Sequence, residues 1–325
     1  MKIFMLGEAA RHRNTLEANL PQGLKVVELP REAATSAEFD HLIEPDDVLV
    51  SLRFTRKNST APKFKLLHVP GAGLDGIDFN SLPNSAFVCN VFEHEIPIAE
   101  YVLCAMLESE IQFSTMRATF NNVAWPDLYR SRVMHGELFG KSLGIIGFGR
   151  IGQEVAKRAS AFGMHVIAVN RSPISTLEYV DQTLLMSQLD TLLCIADYVV
   201  IACPLTQETR GLIHASSFDK MKRESVLINI SRAEIVNQQD LYDALSTKKI
   251  RSAVLDVWYN YPSSNEDHPP PSDLPFDSLP NVFCTAHSSA WTTRLPQRRY
   301  GFIGQNIQRL IKNETLLNIV TRPQM

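Results

Sequence analysis

Six consecutive residues, Gly147-Phe148-Gly149-Arg150-Ile151-Gly152, carry the G-x-G-x-x-G spacing with which a backbone can wrap a pyrophosphate. The first glycine permits a tight turn, the second removes a Cβ from the path of the phosphates, and the third lets a helix lie close against a strand. The spacing alone is common, and its setting gives it weight. The apolar run SLGII (142–146) precedes it and a helical pattern over 151–162 follows. The N–H groups at that helix start, together with the helix dipole, favour an anion. The whole predicts the phosphate-binding turn of a dinucleotide-dependent oxidoreductase.

The next apolar run, HVIAV (165–169), ends at Asn170-Arg171-Ser172. An Asp or Glu about 20 residues past the glycines normally holds the ribose 2′-hydroxyl of NAD, and none stands here. Arg171 is a forked cation suited to a 2′-phosphate, and Asn170 does not repel one. NADP(H) is therefore expected over NAD(H); the alternative is that Arg171 is a solvated surface side chain.

The elements that must position these residues come in two series. KIFML (2–6), LKVVEL (24–29), DVLVS (47–51) and KLLHV (65–69) read as strands, with helix-like segments over 8–20 and 34–43 between them. That alternation predicts a parallel sheet with crossover helices. It stops at a segment over 96–110 that is apolar on nearly every side, with Pro97 in its first turn, and so predicts a buried helix between domains or subunits. The second series is SLGII, HVIAV, YVVIA (198–202), VLINI (226–230), SAVLDV (252–257) and NVFCT (281–285), with helices over 151–162 and 238–246. A last amphipathic helix over 298–313 places Phe302, Ile303, Ile307, Leu310 and Ile311 on one face. The fold class expected is α/β, with two doubly wound parallel-sheet, Rossmann-like domains and a cleft between them. Residues 1–97 plus 292–325 form the substrate domain and 98–291 the dinucleotide-binding domain. The Pro-rich stretch 267–280 reads as a surface loop.

A net charge of −3 gives no basic footprint for nucleic acid. The five cysteines are odd in number, widely spaced and without a C-x-x-C pair, which argues against a disulfide framework or a zinc site and fits a reducing cytoplasm. No metal is expected. The start reads as a strand and not as a signal peptide, and no apolar run approaches the ~20 residues of a membrane span.

Seven blocks, in order, resemble the D-isomer-specific 2-hydroxyacid dehydrogenases: LLHVPGAGLDGID (66–78), IAEYVLCAML (98–107), GELFGKSLGIIGFGRIG (136–152), DYVVIACPLTQETRGLI (197–213), LINISRAEIVNQQDLYDAL (227–245), AVLDVW (253–258) and LPNVFCTAHSS (279–289). The resemblance implies a hydride transfer between a nicotinamide cofactor and a small D-2-hydroxy or 2-oxo acid, in a homodimer. It gives Arg232 the clamp on the substrate carboxylate and carbonyl, work that suits a permanent planar cation. It gives His287 the acid/base role, for which a group titrating near neutrality is apt. Asp256 matches the residue that bonds the nicotinamide carboxamide. Cys203, Pro204, Thr209, Ile230 and Ser231 match cofactor-lining positions, and Ser289 is grouped with them. Gly71-Ala72-Gly73 matches the loop whose N–H groups hold the substrate carboxylate.

One departure bears on mechanism. The family places a Glu beside the histidine, in D-V-x-x-x-E-P; here Tyr261 stands in that position. A carboxylate both orients an imidazole and raises its pKa, whereas a neutral hydroxyl only orients it. The expectation is that Tyr261 hydrogen-bonds His287 and leaves an acid of lower pKa. The alternatives are that Glu266 or Asp267 swings in, that the enzyme is slow or specialised for an unusual substrate, or that Tyr261 merely fills space. Formate dehydrogenases of the family also carry a neutral residue there but need no proton transfer. Two rival functions follow: a catalytically weakened dinucleotide-sensing protein, and a formate- or phosphite-oxidising relative. Substrate selection is expected from Arg53, a second cation suited to a dicarboxylate or phosphorylated acid, from His94, and from Trp291 with Tyr259 as an apolar wall.

Overall fold

The computed structural model describes residues 1–56, 61–175, 177–262 and 267–321, except for the side chain of Thr321. Glu266 lies outside the described residues. The chain divides into two compact units, Met1–Glu93 with Thr292–Met325, and His94–Trp291.

The first unit opens with β1 (Lys2–Leu6), a short helix α1 (Arg13–Glu17), β2 (Lys25–Leu29), β3 (Val48–Val50), β4 (Leu66–Val69) and β5 (Phe87–Asn90). All are paired in parallel, and the central strands are buried along their length. The expected helix over 34–43 does not form. Its place is taken by two 3₁₀ segments, Arg31–Ala34 and Asp40–Leu42. Side chains there compete with helical bonding. The Ser36 hydroxyl accepts the Glu38 N–H at 3.2 Å, and the Asp40 carboxylate takes the buried Arg56 guanidinium at 2.7 Å. The helix expected over 8–20 likewise shrinks to a 3₁₀ turn, Gly7–His12, followed by α1.

The second unit begins with α2 (Glu95–Ile111), α3 (Phe113–Thr119) and α4 (Trp125–Arg130). Then come β6 (Ser142–Ile146), α5 (Arg150–Ala161), β7 (His165–Asn170), β8 (Gln182–Leu185), α6 (Leu189–Ile195), β9 (Tyr198–Ile201), α7 (Ala215–Lys220), β10 (Val226–Asn229), α8 (Gln238–Ser246), β11 (Ser252–Leu255) and β12 (Val282–Cys284). The sheet order is β12-β11-β10-β9-β6-β7-β8, and every pairing is parallel. The period of two along each strand divides the core. Ile146, Val169, Ile201 and Leu227 face one side, while Leu143, Ile145, Val166 and Ile228 face the other. Both faces are therefore apolar, as a parallel sheet with helices on both sides requires.

Helix α2 is buried within this chain on one face. Ile98, Ala99, Val102 and Met106 are buried in the core. Leu103, Cys104, Leu107 and Ile111, however, line an apolar groove of about 490 Å³ together with Phe113 and Phe162. The helix is buried on one side only.

The chain then returns to the first unit with α9 (Leu295–Ile311) and β13 (Ile319–Thr321), which runs antiparallel to β5. The completed sheet order is β13-β5-β4-β3-β1-β2. Tyr300, Ile303, Ile307 and Leu310 of α9 pack on Ile3, Met5, Val48, Val50 and Leu66. The helix starts earlier than periodicity indicated, because Pro296 is tolerated in a first turn. Ile311 is 43% exposed, and fully buried Asn306 takes a place on the inner face instead. The Asn306 amide pays its way by pairing both backbone groups of Leu317, at 2.8 and 2.9 Å, and by donating to His68 Nε2 at 3.0 Å. Among the described residues no helix is long and apolar enough to cross a membrane.

Candidate active site

Because all seven strands of the second sheet are parallel, the loops after β6, β7, β9, β10, β11 and β12 emerge at one edge. The chain order reverses between β6 and β9, which is where such sheets form their ligand crevice. The glycine turn follows β6. Gly147 has φ +95°, and a Cβ there would lie 2.5 Å from the Cys203 backbone. No side chain is tolerated at that position. Gly152 packs against the carbonyl of Gly147, its Cβ position only 2.4 Å away. Gly149 differs: a Cβ would meet nothing within 4 Å. It caps the twelve-residue helix α5 without any side-chain hydrogen bond. The turn thus has a strained glycine, a packed glycine and an open glycine facing the helix start. Phe148 is buried, Ile151 is half-buried and Arg150 is largely exposed, 3.8 Å from Glu95.

Asn170, at the end of β7, is tied into this turn. Its Oδ1 accepts the Phe148 N–H at 3.4 Å and its Nδ2 donates to the Ser172 carbonyl at 3.1 Å. Arg171 and Ser172 are exposed. Glu208, in the loop after β9, is held below the usual carboxylate range, first by the Thr206 hydroxyl and, more weakly, by the charge of Arg171. In the same loop the Thr209 hydroxyl donates to the Pro204 carbonyl at 2.7 Å and accepts the Thr206 N–H at 2.7 Å. Cys203 is buried, which pushes its thiol pKa up to about 11. The Ser231 hydroxyl donates to the Cys203 carbonyl, and Ile230 beside it is buried.

The loops after three neighbouring strands hold the residues best suited to chemistry. Arg232 follows β10, half-buried, with Nη1 donating to the Ser231 carbonyl at 2.8 Å. Asp256 follows β11 and is fully buried. The resemblance gave Asp256 an amide to hold; the structure gives its carboxylate the Thr285 hydroxyl at 2.6 Å, the Ser288 N–H at 2.7 Å and the buried Ser289 N–H at 2.9 Å. His287 follows β12 with φ +54°.

Tyr261 meets His287. Its hydroxyl lies 2.8 Å from Nδ1 and accepts the Trp258 N–H at 3.1 Å. A hydroxyl oxygen has two acceptor sites, so beside the Trp258 N–H it has room for a proton on His287 Nδ1, the tautomer that leaves Nε2 free to give and take a proton. The pKa of His287 lies below the ordinary histidine value. Desolvation by the surrounding protein is the largest cause; Asp256 opposes it and Arg232 adds to it. The pKa of Tyr261 is raised, chiefly by burial, so the phenol stays protonated at neutral pH.

The expected selectivity residues separate. In the first unit, Arg53 after β3 and the Gly71-Ala72-Gly73 loop after β4 are neighbours. A Cβ on Gly71 would sit 3.5 Å from Leu52, one on Gly76 would sit 3.0 Å from the Arg53 side chain, and the Ala72 carbonyl accepts from Asn90 at 3.1 Å. In the second unit, His94 precedes α2 with its ring 4.0 Å from Glu95, and Trp291 is 77% exposed. Tyr259 is no wall. It is half-buried against the core, and its hydroxyl donates to the Val236 carbonyl at 2.9 Å.

A model of the NAD binding domain of D-isomer specific 2-hydroxyacid dehydrogenases matches residues 103–289. The chain belongs to this family. It is 31% identical over 305 residues to the D-3-phosphoglycerate dehydrogenase of Methanocaldococcus jannaschii, covering 90% of this chain and 56% of that protein. The chain thus spans little more than half the length of that relative. It is 33% identical to the hydroxypyruvate reductase of Thermotoga maritima, covering 85% of this chain and 88% of the relative. A solved family structure from Aeromonas salmonicida superposes with a TM-score of 0.74 at 25% identity, covering 98% and 99% of the two chains.

Three groups that sequence reasoning did not single out surround the family's acid/base position. They are the Tyr101 hydroxyl, which donates to Thr285 Oγ1 at 2.7 Å, Thr285 itself, and the Trp258 indole, which donates to the Thr285 carbonyl at 2.8 Å. No spacing rule links residue 101 to residue 285, and only the tertiary fold of the second unit brings them together.

Proposed function

We propose that this family member transfers a hydride between a nicotinamide dinucleotide and a small D-2-hydroxy or 2-oxo acid, with Arg232 and His287 at the reacting centre. The observation that carries this reading is the placement of Arg232, Asp256 and His287 at the carboxyl ends of three adjacent parallel strands. The resident dinucleotide fits the turn: Gly149 leaves space for a pyrophosphate, and α5 offers uncapped N–H groups. When bound, the dinucleotide supplies or receives the hydride. Arg232 binds the substrate carboxylate and polarises the carbonyl with its fixed charge. His287 delivers a proton from Nε2 to the developing alkoxide in reduction and takes it back in oxidation, while Tyr261 fixes the ring.

Arg171 supports a preference for NADP(H), since it lies exposed at the end of β7 with no carboxylate at the ribose position. Glu208 shares that cation, so the preference is a ratio and not an exclusion. The deciding experiment assays glyoxylate, hydroxypyruvate, phenylpyruvate and a phosphorylated 2-oxo acid with NADPH and NADH. Turnover that favours NADPH is expected, and Arg171→Ala should lower kcat/KM for NADPH roughly 10- to 100-fold while sparing NADH. Equal efficiency with NADH removes the cofactor preference. Tight NADPH binding without turnover of any acid favours the sensing protein, to which the neutral Tyr261 partner lends weight.

The second unit also supports a homodimer. The groove along α2 is lined also by Phe113 of α3, which is 66% exposed, and α4 exposes Trp125 and Tyr129 at 50% and 53%. Apolar area of this kind is what a second copy covers. Light scattering should give twice the 36.5 kDa chain mass, and a single-chain mass overturns this reading.

A further inference from the structure

His287 stands in left-handed backbone geometry, φ +54°. For a side chain other than glycine this geometry is strained and persists only where the surroundings over-determine it. The residues on either side do so unequally. Ser288 and Ser289 give one N–H each to Asp256, at 2.7 and 2.9 Å. Thr285 makes four hydrogen bonds. Its N–H donates to the Leu255 carbonyl at 2.9 Å, its carbonyl accepts the Trp258 indole at 2.8 Å, and its hydroxyl meets Asp256 at 2.6 Å and Tyr101 at 2.7 Å. The directions of the last two follow from chemistry. An ionised carboxylate only accepts, so the Thr285 proton goes to Asp256 and Tyr101 must donate to Thr285. The chain Tyr101–Thr285–Asp256 therefore joins α2 to the ends of β11 and β12 two residues before His287.

The same structure ties the partner of the ring to this point. Trp258 donates its indole to Thr285 and its backbone N–H to the Tyr261 hydroxyl, and that hydroxyl meets His287 Nδ1. Both ends of the Tyr261–His287 contact are thereby referred to Thr285. A carboxylate partner would hold the ring by charge as well as geometry; here the contact is neutral and placement must do more.

We propose that Thr285, held by Tyr101 and Trp258, is a positioning residue for proton transfer, setting His287 against Tyr261 and within the field of Asp256 and Arg232. This rests on the reading of His287 as the acid/base group. Loss of the hydroxyl frees the loop, and an imidazole misplaced by about 1 Å costs up to roughly 100-fold in rate.

The test compares Thr285→Val, Thr285→Ser, Tyr101→Phe, Trp258→Phe and His287→Gln in the full-length protein, with hydroxypyruvate and NADPH. Thr285→Val should lower kcat roughly 10- to 100-fold while the KM for NADPH stays within about two-fold. The pH midpoint of kcat should move up toward that of an ordinary histidine as the ring becomes solvated. Thr285→Ser should restore both. Tyr101→Phe and Trp258→Phe each remove one donor with little loss of volume and should show smaller losses of the same kind, which keeps the test informative where the valine variant fails to fold. An unchanged kcat and pH midpoint in Tyr101→Phe and Trp258→Phe, or a serine variant as impaired as the valine one, overturns the proposal. Full turnover by His287→Gln overturns instead the acid/base reading beneath it.

Discussion

Replacing His287 with glutamine is expected to lower reduction of a 2-oxo acid roughly 10²- to 10⁴-fold, the usual worth of a placed acid/base group, while dinucleotide binding persists. The pH dependence carries the sharper information. The pKa of His287 is depressed by desolvation, and the opposing field of Asp256 does not restore it. Reduction needs the protonated imidazole. Its rate should therefore be greatest on the acid side, below the ordinary histidine range, and fall as pH rises through that depressed pKa. Oxidation needs the neutral ring and should already be at its plateau near neutrality. Tyr261→Glu supplies the charge that the hydroxyl lacks, so the midpoint for reduction should move to higher pH. Steady-state profiles of kcat in both directions check these signs, and a midpoint for Tyr261→Glu at or below that of the parent removes Tyr261 from the pair.

Replacing Arg232 with methionine should cost kcat/KM roughly 10²- to 10³-fold, comparable to losing a preorganised donor at a developing oxyanion. Arg232→Lys keeps the charge but not the planar fork and should fall between parent and methionine variant. A second consequence separates direct binding from general damage. Arg232 contributes to the depression of the His287 pKa, so its removal should raise that pKa and shift the reduction profile to higher pH even as the rate falls. A rate loss with an unmoved profile places Arg232 too far away to share the reacting centre.

Much of this was legible in the chain because its signals are local. The runs 142–146 and 2–6 are strands with the boundaries that their apolar patterns give, and 238–246 is a helix over the residues expected. The two strands send alternate side chains into apolar cores on both faces of their sheets, and the helix sends Leu241, Ala244 and Leu245 into one. The segment 34–43 failed because Asp40 answers to Arg56, sixteen residues away, instead of to a helical turn. Strands β5, β8 and β13 were not expected, being only four, four and three residues long, too short to show a period.

The candidate site divides the same way. By itself the sequence determined the glycine turn, the absence of a ribose carboxylate, and the residue types at 232, 256, 261 and 287, because those are matters of identity and spacing. Tertiary structure alone decided that Asp256 accepts from Thr285, Ser288 and Ser289, that Tyr261 turns its hydroxyl to His287, that Tyr259 turns away, and that Tyr101 reaches Thr285 from α2. Those facts depend on which strand ends become neighbours. A hydrogen bond between residues 184 positions apart leaves no periodic trace in the chain that makes it.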